Sequence, residues 1–559
     1  ADLKDVAGDS KGHVLLDFVT LWYLKAADYM QPKGADAPSI RSKSAGADAS
    51  SIRSDPTPAG ADASSIRSDP TLEASAPGFA LGPRAAFVST NSITMGEQVG
   101  VLWPALFAKG VHLHFAHRTF SWQSEASGAA HVHVVIIGFA LHDTDRKTIY
   151  EYEHLKGEPK AVPAAEINPY LIDGPRIAIV NRSKPLCQVP EIAFGNMAND
   201  GGYLILETEE KQQLIKNESR AEPFIYRYLS SRELINGLER WCLWLHDVAP
   251  NKYRDIKPIV ERIEGVKKAR ENSKRPATKQ LAKVSMLFGE IRQPTKLYIG
   301  VPKTSSERRP YIPMAFFAPD VIAGSEIFTI PDATPYHFGV LSSAMHMAWV
   351  RQVSGRLKSD FRYSAKLVYN NYPWPVKATE AQKERIAEAA QGVLDVRAKY
   401  LGADAHSIRS DPTGTGADAS SIRSKPTLEA SAPALADTSN IRFKSAGADA
   451  SSIRLNPADS GADASSIRSK PTLEASAPLE ASDPCSLADL YDPLTMPADL
   501  LKAHQRLDGA VDKAYRGRKF DTERERVEFL FALYEKLTAG LLSEMTAKPR
   551  KRIRRQRGA

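Results

Sequence analysis

Cysteine is scarce, with three residues in 559, Cys187, Cys242 and Cys485. An odd number at such wide spacing cannot build a disulfide framework and suits a reducing, cytoplasmic setting. Long apolar runs are missing as well. The longest near the start, Val14 to Leu24, is too short to cross a bilayer and contains Asp17. It also lacks the basic flank and cleavage site of a secretory signal, so membrane and secreted classes are set aside. Glycine fingerprints are absent too. The one Gly-x-Gly is Gly414-Thr415-Gly416, which opens no strand-to-helix phosphate loop. No Pro-Pro dipeptide occurs anywhere, and the chain opens at Ala1 rather than Met, which reads as a missing upstream part.

What is present begins with charge. The net value is +8, and Lys548, Arg550, Lys551, Arg552, Arg554, Arg555 and Arg557 supply seven of those charges. The rest is therefore close to neutral, and the tail 547–559 reads as a nucleic-acid patch or a soluble end. A unit close to GADASSIRS begins at Gly34, Gly46, Gly60, Gly402, Gly416, Gly447 and Gly461. Its period is irregular and each copy offers one Ile, too little apolar area to offset the entropy of ordering. Both blocks, 34–77 and 402–484, are expected to be disordered repeat insertions.

The remainder reads as three stretches. Leu15, Val19, Trp22, Tyr23 and Ala26 share a helical face, Ala85 to Thr90 is β-like, Gly96 to Ala108 is helical and Val132 to Phe139 is a continuous apolar strand. This alternation predicts an α/β sheet of buried parallel strands. From Asn168 to Pro375, Pro and Gly punctuate short strands and a few helices. Residues 378–400 and 487–544 are helical. There Thr522 and Glu525 form a capping box ahead of the stripe Val527, Leu530, Phe531, Tyr534, Leu537 and Leu541.

Candidate chemistry is thin on spacing alone. His112, His114, His117, His131 and His133 lie close in sequence, but without Cys or carboxylate at ligand spacing they read as the polar face of half-buried strands; no metal site is assigned. Phe120, in Arg118-Thr119-Phe120-Ser121-Trp122, fits either a ring that stacks on a flipped base or a core aromatic at a strand end. The polar run Lys303, Thr304, Ser305, Ser306, Glu307, Arg308 and Arg309 fits a hairpin tip that reads base edges or a solvated turn. Arg351, Arg356 and Lys358 follow an apolar helix and suit phosphates.

Longer runs carry a resemblance. FVSTNSITMGEQVGVLW (87–103), FAHRTFSWQSEASGAAHVHVVIIGF (115–139), RSKPLCQVPEIAFGNMANDGG (182–202), INGLERWCLWL (235–245), SSERRPYIPMAF (305–316), YHFGVLSSAMHMAWVRQVSGRLKSDFRYS (336–364) and VYNNYPWP (368–375) are similar to the MmeI-like family. That family comprises S-adenosylmethionine-dependent DNA methyltransferases of type IIG restriction systems and their relatives. The resemblance implies adenine-N6 methylation of double-stranded DNA with a flipped target base. It places Phe120 where the family's aromatic ring stacks on that adenine, and 303–309 where the recognition domain reads base edges.

Two expected motifs are not found. The family's (N/D)PP(Y/F/W) motif and its glycine-rich cofactor loop are absent, both lying upstream of the segment that matches 14–30, so cofactor-binding residues stay unassigned. Asn371-Tyr372-Pro373-Trp374-Pro375 matches the family's junction after the recognition domain and receives no catalytic role. The implied organisation is a partial Rossmann-like methyltransferase sheet (1–33 and 78–165), a mixed α+β target-recognition domain (166–375) and a C-terminal helical domain (376–401 and 485–546). Two functions stay open: the recognition half of a site-specific adenine methyltransferase, completed by an N-terminal methyltransferase or nuclease polypeptide, and a stand-alone DNA-binding specificity module or inactive remnant.

Overall fold

The computed structural model describes residues 16–31, 82–122, 132–401 and 485–547, with side chains to residue 539. Both repeat blocks, His131, the Gly414-Thr415-Gly416 turn and the basic run from Lys548 lie outside the described residues. The strands in chain order are β1 Arg84–Thr90, β2 His112–Trp122, β3 Val132–Ala140, β4 Lys147–Tyr152, β5 Pro159–Ala164, β6 Ala193–Phe194, β7 Ile205–Leu206 and β8 Ile225–Leu229. They continue with β9 Trp241–Leu243, β10 Tyr298–Pro302, β11 Thr304–Ser305, β12 Ala315–Phe317, β13 Ile322–Ala323, β14 Ile327–Pro331, β15 Gly355–Leu357 and β16 Asp360–Arg362. The helices of ten residues or more are α1 Thr20–Met30, α2 Val99–Ala108, α3 Thr208–Asn217, α4 Lys257–Glu271, α5 Ala344–Val353, α6 Glu380–Tyr400, α7 Ala498–Arg516 and α8 Glu523–Ala547.

The first sheet runs β1-β3-β2-β4-β5. Its α/β character is as expected, but the strands are mostly antiparallel; β2 with β4 is the one parallel pair in this sheet. Connection length explains the difference. The nine residues between Trp122 and Val132, and the six between Tyr152 and Pro159, are too few for the crossover helix that a parallel neighbour requires. Helices α1 and α2 cover one face. Tyr23, fully buried, stacks on Phe139 (ring centroids 5.5 Å) and meets Phe87 edge-on, and its hydroxyl is 3.0 Å from Ser89 Oγ. Trp103 donates its indole N–H to the Ile93 carbonyl at 2.8 Å, so this large ring is buried with its polar atom satisfied.

The recognition stretch holds a second core. Leu204, Cys242, Leu243, Trp244, Ile259, Val266 and Phe288 pack beneath the sheet β13-β8-β9-β7. At its edge Arg270 of α4 is 1% exposed and donates all five guanidinium hydrogen bonds to backbone carbonyls. Nε reaches Asn199 (2.9 Å), one terminal nitrogen reaches Leu281 and Val284, and the other reaches Ala198 and Leu287. Burial lowers its pKa, yet the guanidinium's high intrinsic value keeps it cationic at neutral pH.

The C-terminal helices share a core with the recognition stretch. Trp349 of α5 packs against Phe531 and Tyr534 of α8. The expected stripe on α8 is buried at Val527, Leu530, Phe531 and Tyr534. Its capping box forms in half. Thr522 Oγ1 accepts from the Glu525 amide, but the Glu525 carboxylate turns to Arg516 at 2.7 Å. Asp512 of α7, nearly inaccessible, receives Arg526 through two hydrogen bonds of 3.1 and 2.8 Å.

Asp508 of α7 accepts from the Ala344 amide at 2.6 Å and the Tyr311 hydroxyl at 2.7 Å. Burial pushes its pKa up from 3.8 to about 6, against the pull of both hydrogen bonds and of Arg526. Asp512 also faces this group, and His504 stacks on the Tyr311 ring. A raised folded-state value means the native chain binds the proton more tightly than the unfolded chain. The contribution of Asp508 to stability therefore falls as pH rises from about 4 through 6, by up to about 3 kcal/mol. Asp508→Asn is expected to flatten that segment of a urea-derived stability profile, and an unchanged slope would contradict the assignment.

Candidate nucleic-acid interface

An open cleft of about 730 Å³ lies where the first sheet, the recognition stretch and α8 meet. The turn after β1 supplies Thr90, Asn91 and Thr94, and the end of β2 supplies Arg118 and Thr119. Opposite them stand Glu307, Arg351, Gln352, Arg356 and Lys358, with Glu523 at the rim. Four of the sequence-predicted site residues are thus brought together, namely Glu307, Arg351, Arg356 and Lys358.

The cations are held in place by specific partners. Arg118 donates to Gln352 Oε1 at 3.1 Å and to Glu151 at 3.4 Å, while Gln352 donates to the Tyr170 carbonyl at 2.7 Å. Arg351 pairs with Glu523. Arg356 lies 4.0 Å over the Phe361 ring and donates to the Ser359 and Arg351 carbonyls. Burial brings its pKa down to about 10, which leaves it charged at neutral pH. Lys358 is exposed at the tip of the β15–β16 hairpin, where Leu357 pairs with Asp360 across a two-residue turn. Its φ of +58° is the left-handed conformation such turns demand and costs a non-glycine residue about 1 kcal/mol.

The 303–309 run is more firmly built than a free hairpin tip. Strands β10 and β12 do pair, but Thr304 and Ser305 leave them to pair with Arg362 and Phe361 of β16. Ser305 is 3% exposed. The Lys303 ammonium lies 4.7 Å over Phe194 and 5.3 Å over Phe328, and burial lowers its pKa. Arg309 is half-buried, within 3.5 Å of Ser305 Oγ, and burial lowers its pKa as well. Ser306 accepts from the Arg309 and Arg308 amides, which closes the turn. Arg308 is the exposed member, its guanidinium 3.7 Å from Asp492.

Phe120 stands beside the cleft, outside its lining. It is half-buried, stacks on Tyr152 (4.9 Å, 19°) and lies in an aromatic row with His117 and Trp122. Tyr152 covers one ring face, leaving at most one for a base. The β2 register shifts between His117 and Phe120, which re-aims the strand end toward the cleft. The other histidines have local partners. His112 lies 2.7 Å from Arg176, His114 Nε2 is 2.8 Å from the His142 carbonyl, and His133 lines the cleft. Asn371 is buried, with its amide within 3.1 Å of three carbonyls, as a junction residue would be.

Reading by residue type alone missed Asn91, Thr94, Gln352 and Glu523, which line the cleft from three separate segments. The first three lay within the 87–103 and 336–364 motifs, whereas Glu523 carried no such signal. Four cations line the cleft, Arg118, Arg351, Arg356 and Lys358, against two carboxylates, Glu307 and Glu523, a net positive lining that speaks against a cationic sulfonium donor. This cleft thus fits a polyanion and does not fit S-adenosylmethionine, and no step is derived through that group.

Three family models match the sequence. "MmeI, DNA-methyltransferase domain" covers residues 77–151, "MmeI, target recognition domain" covers 173–376, and "MmeI, C-terminal domain" covers 473–542. The chain belongs to the MmeI family. It is 34% identical over 455 residues to DNA methyltransferase A of Bacillus subtilis (strain 168), covering 81% of this chain and 42% of that protein. It also resembles the solved type IIL restriction-modification enzyme MmeI in complex with DNA, with a TM-score of 0.66 and 36% identity over 96% of this chain and 55% of that one. The chain thus spans about half the length of the relatives it matches. No described helix is long and apolar enough to cross a membrane.

Proposed function

We propose that the chain supplies target recognition and the base-stacking side of the active site for a site-specific, S-adenosylmethionine-dependent DNA adenine-N6 methyltransferase of a restriction-modification type system. The observation that carries this reading is the cleft itself, in which cations from the β2 end and from 351–358 converge beside the Phe120 aromatic row. Double-stranded DNA is the partner such a lining suits, since fixed cations neutralise phosphates and a neighbouring ring accepts an unstacked base. Glu307, Arg308, Arg351, Arg356 and Lys358 form the accessible part of the DNA contact, with Lys303, Ser305, Ser306 and Arg309 as its framework. The division into residues 1–33 with 78–165, 166–375, and 376–401 with 485–546 follows the order of the three family matches at 77–151, 173–376 and 473–542, with 1–33 and 377–401 assigned by the reading itself. Methyl transfer falls to a glycine-rich loop and an (N/D)PP(Y/F/W) motif that this sequence lacks and that N-terminal methyltransferase residues supply. Each missing element touches the reacting groups, and the rest of the fold cannot restore that orientation.

The test pairs duplex binding with transfer of labelled methyl from S-adenosylmethionine to unmethylated genomic DNA. The chain alone is expected to bind duplex without transfer. Transfer is expected once a polypeptide with a glycine-rich loop and an (N/D)PP(Y/F/W) motif is added. Sustained N6-methyladenine formation by the chain alone would refute the division of labour, and duplex binding without transfer in either arm would favour the DNA-binding specificity module.

A further inference from the structure

Residues 267–283 hold seven cations and one carboxylate, Glu271, a local net charge of +6 in a chain whose total is +8. Arg270 is buried. The other six, Lys267, Lys268, Lys274, Arg275, Lys279 and Lys283, are exposed, and among the described residues none of them has an ion-pair partner. Two of the four cations lining the cleft, Arg118 and Arg351, each face a carboxylate by contrast, as does Arg308 in the 303–309 run. Of the acids on the same helix, Glu261 pairs with Lys257 at 3.8 Å, and Glu264 and Glu271 are exposed.

Helix electrostatics account for only part of this. Lys267 and Lys268 sit near the end of α4, where cations suit the negative pole. Lys274, Arg275, Lys279 and Lys283 lie beyond the helix, and that field fades within a turn. Their strap is nevertheless rigid. Arg270 ties α4 to the carbonyls of Leu281, Val284 and Leu287, and a short helix, Pro276–Gln280, fills the span between. Charge held in a fixed array without counter-charges is pre-organised for a polyanion.

We propose that this strap is a second DNA contact, a phosphate-tracking surface that grips the duplex backbone apart from the cleft and without regard to sequence. It rests on the DNA-binding reading above and extends it to residues outside the cleft. Duplex DNA is the occupant because it presents about one phosphate charge per 1.7 Å of axis, matched by four to six fixed cations.

The test uses the full chain and the variant K274Q/R275Q/K279Q/K283Q, with fluorescence anisotropy on a labelled random-sequence duplex from 50 to 200 mM salt. Affinity at 100 mM salt is expected to fall at least about tenfold. The slope of log affinity against log salt is expected to shallow by about 0.9 per lost phosphate contact, roughly 2–4 units in all. A charge-preserving variant, K274R/K279R/K283R, should keep the parental slope, and unchanged thermal midpoints should show that both variants are folded. Equal binding by parent and quadruple variant would overturn the strap while leaving the cleft standing. A parent that binds no duplex would overturn both readings. Loss of affinity for single-stranded RNA with the duplex slope intact would also overturn it, as an RNA contact.

Discussion

Arg270→Met is expected to unfold the second core of the recognition stretch. The native guanidinium satisfies five carbonyls in a site that is 1% exposed. Two of these have another donor, since Ala198 also receives the Gly289 amide and Val284 the Leu287 amide. Leu281 opens the one-turn helix Leu281–Val284, whose i→i+3 pattern also engages its carbonyl, so the Asn199 and Leu287 carbonyls lose the most. At about 1–3 kcal/mol for each unsatisfied group, the loss comes to about 2–6 kcal/mol, a large share of a domain's total of about 5–15 kcal/mol. Lysine is no substitute, because one ammonium with three donors cannot serve carbonyls arranged around a planar fork. Urea unfolding followed through Trp244, which packs 5.0 Å from Phe288 in this core, measures the effect directly. A midpoint equivalent to less than about 1 kcal/mol of change for Arg270→Met would show that the carbonyls find other partners. Because the basic strap hangs from this clamp, the same variant should also lose the steep salt dependence of DNA binding.

The second large effect is expected at Asn371. Its amide nitrogen donates to Val180 at 2.9 Å, Lys366 at 3.0 Å and Leu367 at 3.1 Å, and its oxygen accepts from the Tyr534 hydroxyl at 3.0 Å. Two of those carbonyls belong to the π-helical turn Ala365–Tyr369 and its wider i→i+5 spacing. One side chain therefore joins the start of the recognition stretch, its end and α8. Asn371→Ala removes every one of these bonds and leaves a void, for about 3 kcal/mol. Asn371→Asp is expected to be worse at neutral pH, since it would place a buried negative charge against three carbonyl oxygens. Thermal unfolding and duplex binding should fall together in both variants. A variant that keeps its melting temperature and duplex binding but loses methyl transfer in the completed enzyme would instead give Asn371 a role in the chemistry.

Local patterns foretold the helices and strands well because they depend on side-chain spacing. The 3.6-residue stripe placed α8, the helical reading of 378–400 placed α6, and the apolar run at Val132 placed β3 to within a residue. Pairing direction was not written in those patterns. A buried strand is apolar on both faces whether its neighbour runs parallel or antiparallel, and only the short β2–β3 and β4–β5 connections decide. The site divides in the same way. Arg351, Arg356 and Lys358 were recognisable as cations after an apolar helix, whereas Asn91 and Glu523 reach the same cleft from segments more than four hundred residues apart. Ser305 and Lys303 looked as available as Arg308 in a polar run, yet strand pairing buries the first and two phenylalanine rings hold the second.

The amino-acid order by itself determined membership of the MmeI family, the α/β and helical composition, and the absence of a glycine-rich loop and of a Pro-Pro motif. These are properties of which residues occur and how they are spaced. The tertiary structure alone decided which cations face carboxylates and which stand unpaired, which polar side chains are buried, and where three segments close on one cleft. Those outcomes depend on contacts between residues far apart in the chain, and in a run such as 267–283 nothing but burial separates the clamp, Arg270, from the six exposed charges around it.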